Sequence, residues 1–301
     1  MSGVVLPFWL DRPPSEALAI AAEAERLGYE ELWIGELYHF DAFALGANLA
    51  ARTRTITPVI GPVAAGVRDP LTIARAFATV AETAGRDARL ALGASNPMVV
   101  TRFHGKSFGG EARRMRDVAT AVRAQVETGV APSGYRSALP QRRLHLTIAA
   151  SGPRMVEVAA EVGDRMVINL VTLAQAVTLA ARVAIPTVCW AVAALEPGRA
   201  THAEVAGQIA HYLAAPGYSD MFREAGFGDL VDRAVEKQPV TELARLVPEE
   251  LLSAVAIYGS KSDVVDSWTR FKSAGIDVAL VPATAEDPAG TKILEVLARG
   301  M

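Results

Sequence analysis

Cysteine is almost absent from this chain, and that absence bounds the chemistry first. The single one, Cys189, lies in an apolar run from Ile185 to Leu195. No disulfide can form within the chain, and a reducing cytoplasm is the expected compartment. Cys189 itself is expected to be core packing rather than a nucleophile. Long hydrophobic runs are missing too. No stretch is apolar over enough residues to span a bilayer, and no basic segment leads into an apolar one at the N-terminus, so no membrane partner is expected. Neither sign of charge dominates: 33 acidic and 30 basic residues leave a net charge of −3, which gives no reason to expect a nucleic-acid partner. The five histidines are scattered, with no His-Glu-x-x-His and no cysteine cluster, so no metal site is expected. The Gly-x-Ser-x-Gly elbow and the Walker loop are also missing, as are low-complexity tracts and linkers.

What is present is an ordinary globular composition, 51% hydrophobic and 21% charged over 301 residues. That is ample for a core, and the length allows one large α/β domain or two smaller ones. One pattern recurs: an amphipathic helix ends at a glycine, polar residues follow, then a short apolar strand. It appears at Leu27-Gly28 before Leu32-Trp33-Ile34, at Ala84-Gly85 before Leu90-Ala91-Leu92, at Val162-Gly163 before Met166-Val167-Ile168, and at Ala274-Gly275 before Val278-Ala279-Leu280-Val281. Glycine just past a helix reads as a left-handed cap. Helices alternating with short apolar strands imply a parallel sheet with helical crossovers. Repetition over this length points to an α/β fold of the TIM (β/α)₈ barrel type, with a doubly wound open sheet as runner-up.

Taken in order, Val4 to Phe8 is the first strand, and Pro13-Pro14 opens a helix with Ala17, Ile20, Ala24 and Leu27 on one side. The second strand, 31–35, leads into the loop Glu36 to Asp41 and a small apolar helix at about 42–51. The third strand, 55–60, ends at Gly61-Pro62; Asp69-Pro70 then combines an N-cap side chain with a proline in the first turn. The fourth strand, 88–93, ends in Gly93 to Pro97, and 98–110 reads as an irregular loop. A basic helix follows, whose Arg113, Arg114, Arg116 and Arg123 read most simply as a solvated face, with contact to an anionic cofactor tail as the alternative. The fifth and sixth strands flank residues 149–163, Thr172 with Gln175 resembles a capping box, and the seventh strand is 185–193. Residues 197–255 are helical without a clear strand, a helical insertion before the last unit, which starts at Ser260. The whole of 1–301 is expected to be one barrel domain carrying that insertion.

In a barrel, function sits on the loops after the strand C-termini. The turn Ala149-Ala150-Ser151-Gly152-Pro153 joins a strand to a helix whose face is Met155, Val158, Ala159 and Val162. Pro153 fits the first helical position, Gly152 lets a ligand approach the backbone, and the helix dipole favours an anion there. From the residues alone, a phosphate cradle and a plain tight connection both remain open. Glu36 follows a strand directly, where a carboxylate orients a ring or serves as general acid or base; its plain alternative is a bond to loop amides. His39 and Asp41 lie close by.

Together, Gly28-Tyr29-Glu30-Glu31-Leu32-Trp33-Ile34-Gly35-Glu36-Leu37-Tyr38, Arg68-Asp69-Pro70, Leu90-Ala91-Leu92-Gly93, Phe103-His104-Gly105-Lys106-Ser107-Phe108-Gly109, and Ala149 to Pro153 with Gly163-Asp164 resemble the bacterial luciferase-like monooxygenase superfamily. They are most similar to its branch that uses the 8-hydroxy-5-deazaflavin coenzyme F420. The resemblance implies a flavin-type ring at the barrel mouth, with its phosphate on Ala150 to Pro153, and a cis peptide at Gly61-Pro62. It gives a cofactor-binding set of Glu36, Gly61, Pro62, Val63, Ala94, Asn96, Ala150, Ser151, Gly152 and Pro153, and Glu36 and His39 as catalytic candidates. The sequence departs from the family where Leu37 replaces a histidine and where Asn96 replaces a glutamate found in some relatives. The function implied is hydride transfer between F420 and a small organic substrate. The alternatives are an FMN-dependent monooxygenase and a non-catalytic cofactor-binding homologue. The resemblance also implies a homodimer, to which the helix at 42–51 would contribute.

Overall fold

A computed structural model describes residues 2–7, 13–36, 40–131, 133–138 and 140–299. Strands and helices alternate along it: β1 (Ser2–Val5), α1 (Pro14–Arg26), β2 (Glu31–Ile34), α2 (Ala42–Arg52), β3 (Thr57–Ala64), α3 (Pro70–Ala84), β4 (Arg89–Gly93), α4 (Glu111–Thr128), β5 (Leu146–Ala149), α5 (Pro153–Val162), β6 (Arg165–Asn169), α6 (Leu173–Ala180) and β7 (Thr187–Leu195). Five helices follow, α7 (Arg199–Ala210), α8 (Ser219–Glu224), α9 (Gly228–Val235), α10 (Val240–Leu246) and α11 (Glu249–Val255), then β8 (Ile257–Gly259), α12 (Lys261–Ser273), β9 (Asp277–Pro282) and α13 (Thr291–Ala298). Each named ladder is parallel. Pairing runs in chain order from β1 to β7, then β7 pairs with β9 and β9 with β1. Eight strands therefore close into a TIM (β/α)₈ barrel, as the recurring pattern predicts.

The local signals explain why these elements start and stop. Asp69 caps α3 by accepting from the amides of Leu71 and Thr72, and Thr172 caps α6 by accepting from Gln175. Gly28, Gly85 and Gly275 take positive φ after their helices, as expected of left-handed caps. Gly163 does not; its φ is −95°. A Cβ there would lie 2.8 Å from the Ala159 carbonyl oxygen and 3.0 Å from Ile148 Cγ1, so closeness rather than handedness requires glycine.

Four other expectations are corrected. β3 does not end at Gly61-Pro62 but runs through it, with a register shift between Ile60 and Val63 on its β4 side. Proline has no ladder donor, and an irregularity accommodates it. The first strand lies earlier than expected, ending at Val5. Residues 98–103, expected to be irregular, form a π-helical turn. β8 was not foreseen; its three residues are too few to carry a period. It stands outside the closed ring, pairing with the far end of β7 at Ala193, Ala194 and Leu195.

The lumen is filled from alternate strands. Glu31, Arg89 and Arg165 are the first residues of β2, β4 and β6. Glu31 Oε1 accepts from Arg165 Nη1 at 2.9 Å and from Arg89 Nη1, while Arg165 Nε donates to Thr147 Oγ1 at 3.3 Å. Above this charged floor the Arg165 guanidinium lies 4.9 Å from the Trp33 ring centre, and Trp33 meets Trp190 edge to face at 5.5 Å. Cys189 is buried, as its apolar surroundings predict, and burial pushes its thiol up to about 12. Arg123 is not part of a solvated face: it donates to the carbonyls of Leu144 and Val162 and to Asp164, tying α4 to the strand layer.

Candidate active site

The C-terminal ends of the strands converge on one mouth, and small residues form part of its floor. A Cβ added to Gly93 would lie 3.1 Å from Pro62 Cβ and 3.6 Å from the Ala149 methyl, so β3, β4 and β5 meet there with little side-chain bulk. Gly61 has φ +113°, and a Cβ on it would fall 2.1 Å from the Ala91 carbonyl oxygen, so only glycine fits. The Gly61-Pro62 bond is cis, as expected. Val63, paired in register with Leu92, is fully buried. Non-glycine residues in the left-handed region follow closely on β4, β6 and β7: Ser95 at φ 60°, Leu170 at φ 52° and Glu196 at φ 44°. Such backbone costs free energy and collects around functional sites.

Along one side runs the turn from β5 to α5. Ala150 is buried, Ser151 and Gly152 are half-buried and Pro153 is exposed. Gly152 is the N-cap at φ −110°, and no side chain caps the helix. The first-turn donors therefore keep their capacity for an outside acceptor, in line with the dipole. A Cβ on Gly152 meets nothing within 4 Å, so the approach is open. The insertion reaches this turn: a Cβ on Gly217 would point at the Ser151 carbonyl oxygen and hydroxyl, each 3.5 Å away. The ring of the adjoining Tyr218 lies 5.0 Å from that of Tyr212. Burial raises the Tyr218 phenol well above its ordinary range and keeps it protonated.

The rim on the other side is charged. Glu36 is held by Arg68, whose Nε donates to Oε2 at 3.2 Å and whose Nη2 donates to Oε1. The same Nη2 reaches Asp41 at 2.6 Å, and the guanidinium lies 5.4 Å from the Phe43 ring centre. The hydrogen bonds Arg68 donates to Glu36 hold it above its usual range, with Asp41 adding to the effect. Burial pushes the Asp41 carboxyl up, but the Ala44 amide and Arg68 outweigh it and leave it below the usual range. Glu36 is thus ion-paired with Arg68. Its partner carries no local sequence signal, being 32 residues away. His39, the other catalytic candidate, lies outside the described residues, as does Leu37. Asn96 is exposed and caps the π-helical turn by accepting from the Val99 amide at 2.9 Å; Ala94 beside it is half-buried. Among the described residues no group of three or more His, Cys, Asp or Glu side chains is placed to hold a metal ion. No described helix is long and apolar enough to cross a membrane.

This barrel, with its cis proline strand and its open turn after β5, belongs to the luciferase-like monooxygenases: the family's sequence profile matches residues 3–278. Two curated relatives are similar over most of their length. A 5,10-methylenetetrahydromethanopterin reductase of Archaeoglobus fulgidus is 24% identical, covering 84% of this chain and 85% of its own. A Mycobacterium tuberculosis protein named as a coenzyme F420-dependent oxidoreductase is 23% identical, covering 93% and 94%. Among solved structures, an F420-dependent secondary alcohol dehydrogenase with an F420–acetone adduct superposes with a TM-score of 0.79 at 15% identity, covering 100% of this chain and 98% of that one. The oxygenating constituent of 3,6-diketocamphane monooxygenase from Pseudomonas putida, with FMN, gives 0.65 at 14% identity, covering 99% and 97%.

Proposed function

We propose that this chain is an oxidoreductase that binds coenzyme F420 at the barrel mouth and acts on a small organic substrate. The observation that carries this reading is the pairing of a small-residue floor (Pro62, Gly93, Ala149) with an open, uncapped helix start at Gly152-Pro153. A flat ring with an anionic tail fits that pairing: the floor accepts the ring's face, and the amides of Ser151 and Gly152 with the Ser151 hydroxyl donate to the tail. When bound, the deazaflavin supplies or accepts a hydride at ring carbon C5. The protein's part is position and electrostatics. The Glu36–Arg68–Asp41 cluster fixes the charge at the opposite rim and orients what lies between, and His39 is proposed as the acid/base group of that loop. FMN is the second reading, favoured by the FMN-bound monooxygenase of the same fold. A cytoplasmic homodimer completes the proposal, with light scattering expected to give twice the chain mass.

Calorimetric titration with F420 and with FMN tests the assignment; tighter FMN binding would reverse it, and binding of neither would remove it. Turnover on carbonyl acceptors under anaerobic conditions separates an enzyme from a protein that only binds. Gly152→Asp tests the turn. Its φ is ordinary and its side-chain space is open, so the variant should fold. Its charge should weaken binding at least tenfold, about 1.4 kcal/mol. A folded variant that bound as well as wild type would reduce the turn to a connection.

A further inference from the structure

The connection from β4 to α4 starts at the mouth and projects from it. Residues 101–110 are exposed without a break. The projection is nonetheless held at both ends. Asn96 caps the π-helical turn, Val99 and Val100 are buried beneath it, and the amides of His104 and Lys106 donate to the Val99 and Val100 carbonyls at 3.3 and 3.0 Å. At the far end the Gly109 amide donates to Glu111 Oε1 at 2.8 Å. A π-helical turn is rare and is found mostly at functional positions. What this one holds out to water is apolar: Met98 is 43% exposed, Phe103 59% and Phe108 38%. The charge is one-sided as well. Residues 98–110 carry Arg102 and Lys106 and no carboxylate, in a chain whose net charge is −3. We propose that this projection docks the protein on an anionic lipid surface. Phe103 and Phe108 enter the boundary between headgroups and acyl chains, and Arg102 and Lys106 meet the phosphates. Aromatic rings and basic side chains on one exposed segment, with no acid among them, match that interface in both polarity and charge. A segment exposed at every residue suits a yielding surface better than the fixed groove of a protein partner. Docking of this kind needs no spanning helix. It turns the barrel mouth toward the bilayer, so that a substrate dissolved in lipid reaches the site without crossing bulk water.

The test is flotation of the purified protein with vesicles of phosphatidylcholine alone and of phosphatidylcholine mixed with phosphatidylglycerol. Wild type should bind the anionic vesicles at least about tenfold more tightly than the neutral ones, and high salt should remove most of that difference. Phe103→Ser combined with Phe108→Ser should weaken binding to anionic vesicles by at least about tenfold. Arg102→Gln combined with Lys106→Gln should abolish the preference for anionic vesicles, while binding to neutral ones stays within about twofold of wild type. Tyr135→Ser removes an exposed aromatic beyond the other end of α4 and should change neither. Every substituted side chain is exposed, so the variants should fold, and thermal melting checks that they do. A wild type that floats with neither vesicle, or equally with both, would overturn the proposal. Unchanged vesicle binding in the double serine variant would overturn it too. If that variant then halved the mass seen by light scattering, the rings would belong to an interface with a second copy of the chain. If it instead bound a free long-chain ketone more weakly, they would belong to the substrate. No arm needs a bound cofactor, so the outcome stands apart from the F420 assignment.

Discussion

At the scale of single residues, the barrel floor depends on one carboxylate serving two arginines. Glu31 is 3% exposed and Arg165 8%, so the charges are held away from water and are costly unless paired. Glu31→Gln should remove the carboxylate that Arg89 and Arg165 share, at a cost of about 3–5 kcal/mol in urea unfolding. A cost below about 1 kcal/mol, the worth of an exposed pair, would show that the network is not held in low dielectric. Cys189 gives a second residue-level expectation. With its thiol pushed up to about 12 and its side chain buried, the native protein should not react with Ellman's reagent at mildly alkaline pH. Unfolding should release one thiol. Rapid labelling of the folded protein would mean that β7 opens far more readily than its ladders suggest.

Among the elements, the joint between α4, β5 and β6 is the one that pH should loosen. Asp164 accepts from the Leu146 amide at 2.8 Å and from Arg123 at 2.9 Å. Burial pushes this carboxyl up, but the Leu146 amide and Arg123 outweigh it and leave it below the usual range. Its contribution is therefore complete above the unfolded value of about 3.9 and is lost as pH falls through the lower folded value. Asp164→Asn should melt lower than wild type at neutral pH, and the gap should close as pH drops below about 4. A gap that stayed constant into acid would assign the loss to packing instead. Elements of this kind were legible where the signal is local. Asp69-Pro70, Thr172 with Gln175, and the glycines after α1, α3 and α12 announce their roles within four residues. Where the cause lies far along the chain, the sequence is silent: Gly163 is glycine because of Ile148, and Glu36 is paired with Arg68. The anion turn was legible as a possibility because proline and glycine mark it. Its openness was not, since that depends on what the insertion leaves unfilled.

For the whole molecule, closure of the ring means that every interior side chain shares one narrow column. The charged floor, the two indoles and the small-residue mouth are stacked along a single axis, from Glu31 through Trp33 and Trp190 to Gly93 and Ala149. That stacking has an optical consequence. A conjugated ring resting at the mouth would sit directly above a pair of emitters and drain their excitation. Loading with deazaflavin or flavin should therefore quench the intrinsic ultraviolet emission, and most of the quenching should vanish in a Trp33→Phe, Trp190→Phe double variant. Undiminished quenching in that variant would place the bound ring away from the column. The folded chain thus carries its own lamp beneath the site, and its dimming counts the occupied barrels without any added label.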